Sequence, residues 1–206
     1  MLSAFTKNDI DTALKKAGSA LGTKVDAFLI GGCAMAFRNL KPSTKDADVL
    51  FEDELSEQRL FQALIRSGFK ELFPGSYDVP LKAKDIVVND VGLQFDLFAR
   101  QVMGGLCLSN SMKKRAEKHG VYGNLAVFLA SKEDIYLFKA ITNRPFPRDY
   151  EDLLVIQQSG VDWNSVIAEF EKQVRNKPIE ANLRTKLELL KKSGVVNPLV
   201  NYLARN

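Results

Sequence analysis

The chain has 206 residues, of which 46% are apolar and 26% charged, with a formal net charge of +4. That length and apolar content suffice to bury a core without covalent staples and exclude a disordered or low-complexity chain. Two cysteines and one histidine exclude a secreted disulfide scaffold and a zinc site of the usual kind.

The mild cationic excess permits a polyanionic partner, RNA or a nucleotide, without requiring one. Residues Met1–Asp9 lack the basic-then-apolar pattern of a secretory leader. No apolar run approaches the ~20 residues of a membrane span. The expectation is a soluble, cytoplasmic protein, with Cys33 and Cys107 as reduced packing residues.

In chain order, residues 7–21 set Ile10, Ala13, Leu14, Ala17 and Leu21 at helical spacing, with Gly22 as the stop. Residues 25–30 predict a buried strand running into Gly31-Gly32, followed by a short helix from Cys33 to about Asn39. Lys41-Pro42-Ser43-Thr44 is a turn. Asp46–Phe51 predicts a strand and Leu55–Ser67 a helix with Leu60, Phe61, Leu64 and Ile65 inward. Pro74-Gly75-Ser76 marks a loop, and Phe61, Phe69 and Phe73 read as core. Two strands, 85–89 and 93–99, flank Asn89-Asp90-Val91-Gly92 as a hairpin. Residues 110–118 read as a basic helix ending at His119, a capping residue, and 121–130 as extended. The basic turn Lys113-Lys114-Arg115 with Lys118 is open to two readings, an RNA-phosphate contact or a solvated face.

From Ser131 onward only helices are predicted. Ser131 and Asp134 have capping-box spacing; Pro147 opens a second helix; Asp162 caps a third, with Trp163 as a packing anchor; residues 179–192 form a fourth, and Pro198 starts a short fifth. The expected organisation is an α/β domain over residues 1–130, with a mixed or largely antiparallel sheet flanked by helices. A helical domain over 131–206 packs on it, with the functional cleft between them.

Chemistry concentrates in three places. In a strand, Asp46 and Asp48 share one face while Ala47, Val49 and Phe51 share the other. Two adjacent carboxylates repel, and a divalent cation relieves that; magnesium favours few carboxylates plus phosphate oxygens. Asp96 lies between Phe95 and Leu97, where a carboxylate needs a ligand role or a partner such as Arg100. Gly31-Gly32 ends a buried strand, where absent side chains let backbone approach a polyphosphate. Arg38 and Lys45 flank this region, either steadying phosphates or forming surface ion pairs.

Gly31-Gly32, Arg38 and Ser43-Thr44-Lys45-Asp46-Ala47-Asp48 together resemble the signature of the DNA polymerase β-like nucleotidyltransferases: a glycine pair, a spacer of about a dozen residues, Asp-x-Asp, then a third acidic residue on a later strand. The nearest branch is that of small prokaryotic proteins similar to the AbiEii toxins of abortive-infection and toxin–antitoxin systems. Lys139, Arg144 and Arg148-Asp149-Tyr150-Glu151-Asp152 match the helical half of that branch. The resemblance implies a nucleotidyltransferase-like fold and transfer of a nucleoside monophosphate from a nucleoside triphosphate to a hydroxyl acceptor. Asp46, Asp48 and Asp96 would hold Mg2+, Gly31 and Gly32 would cradle phosphate, Lys139 would touch the triphosphate, and Asp149 would serve the acceptor or the nucleotide. RNA, protein and small-molecule acceptors stay open, as does an antitoxin partner. The contrasting reading is a degenerate nucleotide- or RNA-binding module of the same fold. On physical grounds alone Lys139 is equally a snorkelling lysine, and Asp149 and Asp152 are first-turn carboxylates favoured by the helix dipole.

Overall fold

The structure, a computed structural model, describes residues 4–72, 83–102, 105–143 and 148–205. Phe73, the expected Pro74-Gly75-Ser76 loop, Arg144 and Pro147 lie outside them.

Helix α1 (Lys7–Ser19) opens on a reciprocal cap, in which Asp9 N donates to Thr6 Oγ1 and Thr6 N donates to Asp9 Oδ2. Strand β1 (Val25–Leu29) follows. Gly31-Gly32 form the first turn of α2 (Gly31–Phe37) rather than preceding the helix. Then come β2 (Asp46–Phe51) and α3 (Glu54–Arg66), the latter capped by Asp53 Oδ1 accepting from Ser56 N. The two-residue β3 (Lys70–Glu71) precedes the hairpin of β4 (Asp85–Val88) and β5 (Gln94–Ala99). Its turn holds because Gly92 has φ +89° and Asn89 Oδ1 accepts from Val91 N and Leu93 N.

Strands β6 (Gln101–Val102) and β7 (Leu106–Cys107) form a separate small ribbon. Helix α4 (Asn110–Arg115) is shorter than expected, because β8 (Glu117–Tyr122) begins at once and pairs with β9 (Leu125–Leu129). His119 therefore caps no helix. It lies in β8, its Nε2 3.2 Å from Asp11 Oδ1 and its ring edge-on to Phe37. Cys107 is exposed, not a packing residue, whereas Cys33 is buried and its thiol is pushed well up in pKa by that burial.

Among the described residues, the main sheet has seven strands in the order β3-β4-β5-β2-β1-β9-β8. It is mixed: β2 runs parallel to β5 and β1 parallel to β9, and the remaining neighbours are antiparallel. Helix α3 packs across β1, β2, β4 and β5 and beside α1. After β9 come α5 (Lys132–Ala140), α6 (Arg148–Gln158), α7 (Trp163–Gln173), α8 (Ile179–Lys192) and α9 (Pro198–Arg205). One core cluster runs from Ile10 in α1 and Leu29 in β1 to Tyr136, Phe170 and Leu199 in the later helices. Trp163 stands edge-on to Tyr136 at 5.1 Å between ring centroids. The α2–α5 contact brings the helical part against the glycine turn.

A second consequence of this packing is a strained carboxyl. Glu57 in α3 is fully buried, 3.1 Å from Lys84 Nζ. Burial, and after it the neighbouring Asp85, push its pKa up from 4.5 to about 7. A carboxyl raised on folding favours the folded state below its unfolded pKa, and that advantage is lost as pH rises through the folded value. Glu57→Gln is expected to be nearly neutral at pH 5 and stabilising by about 2 kcal/mol at pH 8. Urea unfolding at both pH values checks this; equal effects at the two would refute it.

Candidate active site

The site grows from β2. Its central residues Ala47, Val49 and Phe51 are fully buried on one face, while Asp46 and Asp48 take the other. Parallel pairing with β5 sets Asp48 directly beside Asp96 and Asp46 beside Gln94. The acidic side chains of two strands 48 positions apart in sequence thus share a face through register alone. Asp96 is buried, and Gln94 Nε2 donates to its Oδ1 at 2.6 Å.

Gly31 completes that cluster by what it lacks. Its φ is +59°, and a Cβ there would overlap Asp48 Oδ2 and stand 3.0 Å from Asp48 Cγ. Only glycine meets both conditions. A Cβ on Gly32 would lie 2.8 Å from Thr44 Oγ1 and 4.0 Å from Lys41 Nζ. Thr44 is fixed by a backbone bridge to Phe5 and donates its hydroxyl to Asp46 O at 3.0 Å.

A cavity of about 200 Å³ opens here, lined by Gly32, Lys41, Lys45, Asp46, Asp48 and Lys139 among others. Of the expected residues, the structure brings Gly32, Lys45, Asp46, Asp48 and Lys139 to one cavity, with Gly31 and Asp96 adjoining through Asp48. Arg38 is held apart. Its Nε donates to Ala130 O at 2.8 Å, and its terminal nitrogens donate to Leu129 O and Glu117 Oε2. It ties the end of α2 to the end of β9. The basic turn is likewise engaged: Lys113 Nζ meets Glu52, and Arg115 joins buried Asp134 and Glu169.

Behind the cavity lies a chain of buried charges. Lys139 Nζ is 2.8 Å from Asp152 Oδ2 and 3.6 Å from Asp149 Oδ1. Lys41 Nζ donates to Asp152 Oδ1 at 2.9 Å, and Lys186 Nζ donates to Asp149 Oδ2 at 2.9 Å. Thr142 Oγ1 also donates to Asp149. Burial alone would raise both carboxyls, but the ammonium of Lys139 leads the opposing influences and holds both below the ordinary carboxylate range. Lys139 is therefore an ion-paired residue, not a snorkelling one. Asp149 sits behind it, 1% exposed, and is not among the residues lining the cavity. Lys41 and Lys186 were missed as site residues. Lys41 stood in plain view in the turn before the Asp pair; Lys186, in a Leu/Lys-rich helix, carried no signal.

The oxygen-only donor set of Asp46, Asp48 and Asp96 suits a hard cation such as magnesium. Among the described residues no three carboxylate, imidazole or thiol groups close into a cage for a metal alone.

No protein-family model and no curated protein matches the chain. Solved structures do. An antigenic nucleotidyltransferase-like protein from Paracoccidioides brasiliensis superposes with a TM-score of 0.53 at 16% identity, covering 92% of this chain and 91% of that one. The chain has a nucleotidyltransferase-like fold. The antibiotic-resistance factor ANT(2'')-Ia shares that fold, with a TM-score of 0.51 at 13% identity over 92% of this chain and 98% of its own. The mixed sheet flanked by helices is as the sequence predicted. No described helix is long and apolar enough to cross a membrane.

Proposed function

We propose that this protein transfers a nucleoside monophosphate from a nucleoside triphosphate to a hydroxyl acceptor, with Mg2+, releasing pyrophosphate. The observation that carries the reading is the Asp48–Asp96 register pair, with Asp46 on the same face and Gly31 under Asp48. A nucleotidyltransferase-like fold with that face intact supports this chemistry.

In this reading Gly32 leaves room for phosphate against backbone, and Lys139 and Lys45 supply positive charge along the cavity wall. Asp46 and Asp48 would hold magnesium, which would supply charge neutralisation of the phosphate oxygens. Asp96, oriented by Gln94, either shares the metal or takes the proton of the attacking hydroxyl. The acceptor oxygen bonds to the α-phosphorus as the bond to the pyrophosphate oxygen breaks. Asp149 acts through Lys139. The acceptor hydroxyl belongs to an RNA end, a protein side chain or a small molecule, and the resemblance adds control by an antitoxin partner as a variant of the same reading.

The test is incubation with each α-labelled triphosphate, magnesium, and bulk RNA or cell extract. Label should move to a macromolecule or small acceptor, and Asp46→Ala/Asp48→Ala should reduce transfer by about 10³-fold or more. Nucleotide binding with little dependence on magnesium and no transfer would make the chain a binding module instead.

A further inference from the structure

Lys41 faces two kinds of neighbour. Its Nζ donates to both oxygens of Asp152, at 2.9 and 3.3 Å, across from the turn before β2 to helix α6. The same atom stands 4.0 Å from the position a Cβ on Gly32 would take, at the wall of the cavity. The Lys41 side chain keeps 33% of its exposure while that of Asp152 keeps 7%, so the ammonium is anchored on one side and open on the other.

Lys139 reaches the same carboxylate from α5 and lines the same cavity. Lys41, Lys139 and Lys186 face Asp149 and Asp152, and of these three ammonium groups Lys41 and Lys139 stand at the cavity wall. Asp46 and Asp48 line the same cavity. An ammonium carries three donors, so one anchored by a carboxylate on one side keeps donors for a second anion on the other. A polyphosphate offers oxygens to the ammonium groups, and a cation held by the carboxylates would offset its remaining charge.

We propose that Lys41 and Lys139 form a two-ammonium clamp for the non-bridging oxygens of a polyphosphate, Lys41 being a binding residue that comes from the α2–β2 turn. The inference rests on the proposed triphosphate reading of this cavity. Because one ammonium comes from that turn and the other from α5, a bound polyphosphate bridges the sheet layer and the helical part.

The probe is sodium tripolyphosphate without metal, titrated calorimetrically into the full chain. Lys41→Met should weaken binding on the order of 10- to 100-fold, as expected for a lost charge-assisted hydrogen bond. Lys41→Arg should restore most of it, and Lys118→Met on the β8 edge should bind as the parent does. In the unmodified protein, tripolyphosphate should shield Lys41 from amine acylation read by peptide mass spectrometry, a readout that needs no variant to fold. Unchanged affinity in a folded Lys41→Met, or unchanged acylation of Lys41, overturns the clamp. Tripolyphosphate binding with Lys41 protected but no nucleotidyl transfer supports the clamp and removes the enzymatic reading. Transfer with an unaltered KM for the triphosphate in Lys41→Met does the reverse.

Discussion

A chain carrying Gly31→Ala is expected to lose nucleotidyl transfer by about 10²-fold or more, and to melt about 4–12 °C lower than its parent. Two independent penalties act at this one position. The backbone sits at φ +59°, where an L-residue with a Cβ costs roughly 1–2 kcal/mol. The new methyl also overlaps Asp48 Oδ2, and Asp48, only 4% exposed between Val49 and Ala47, has little room to yield. Either the turn opens or the carboxylate rotates away from Asp96, and both misplace the metal-binding face. A total of about 2–4 kcal/mol follows. Gly22→Ala is the matched control: no atom lies within 4 Å of its would-be Cβ, and it should stay within about 0.5 kcal/mol of the parent. Calorimetric melting and label transfer on both variants decide the matter. A fully active, equally stable Gly31→Ala would mean that the Asp48 carboxylate does not need its present seat.

The strand Asp46–Phe51 has the bounds its residues predict, because alternation within six residues is a local property and the buried face is unmistakably apolar. The hairpin at Asn89–Gly92 was legible for a similar reason: turn chemistry is carried by the turn residues themselves. What the sequence did not disclose is that β2 and β5 are parallel neighbours in a register that pairs Asp48 with Asp96. Nothing local distinguishes that register from a slip of one residue, which would turn Asp96 to the opposite face. The stretch from Ala116 to Lys118 misled for the opposite reason, the helix expected over 110–118 ending at Arg115. Its Ala, Glu and Lys content favours a helix, yet from Glu117 onward pairing with β9 prevails, through an irregularity between Lys118 and Gly120. Arg38, expected beside the phosphates or in a surface ion pair, is held away from the cavity by two carbonyls 91 and 92 positions away and by Glu117, 79 positions away. The charge network is the least legible part, since Lys41 and Asp152 are 111 positions apart and Lys186 and Asp149 are 37 apart. A lysine's sequence neighbours say whether it is costly to bury, not which carboxylate will receive it.

That network sets the second large effect. Lys139→Met preserves most of the side-chain stem and removes only the ammonium, so packing changes little and electrostatics dominate. Asp152 would keep Lys41 and Asp149 would keep Lys186 and Thr142, which places the expected loss at about 2–4 kcal/mol, near or below the range for breaking a buried pair. The pH dependence identifies the cause. With both carboxyls depressed below 3.8 in the parent, their contribution is fully present above about pH 4–5 and disappears as pH falls through the folded values. Lys139 is the foremost of the influences lowering either group, so its loss shifts both carboxyls upward. The deficit of the variant should therefore be full at pH 7 and smaller at pH 3, declining as pH falls through the folded values of the two proteins. Urea unfolding at the two pH values measures it, and a deficit independent of pH would show that Lys139 supports the fold by packing alone. Transfer activity should fall with it, by roughly 10²-fold or more, because the same ammonium lies both against the buried aspartates and along the wall where the triphosphate is proposed to bind.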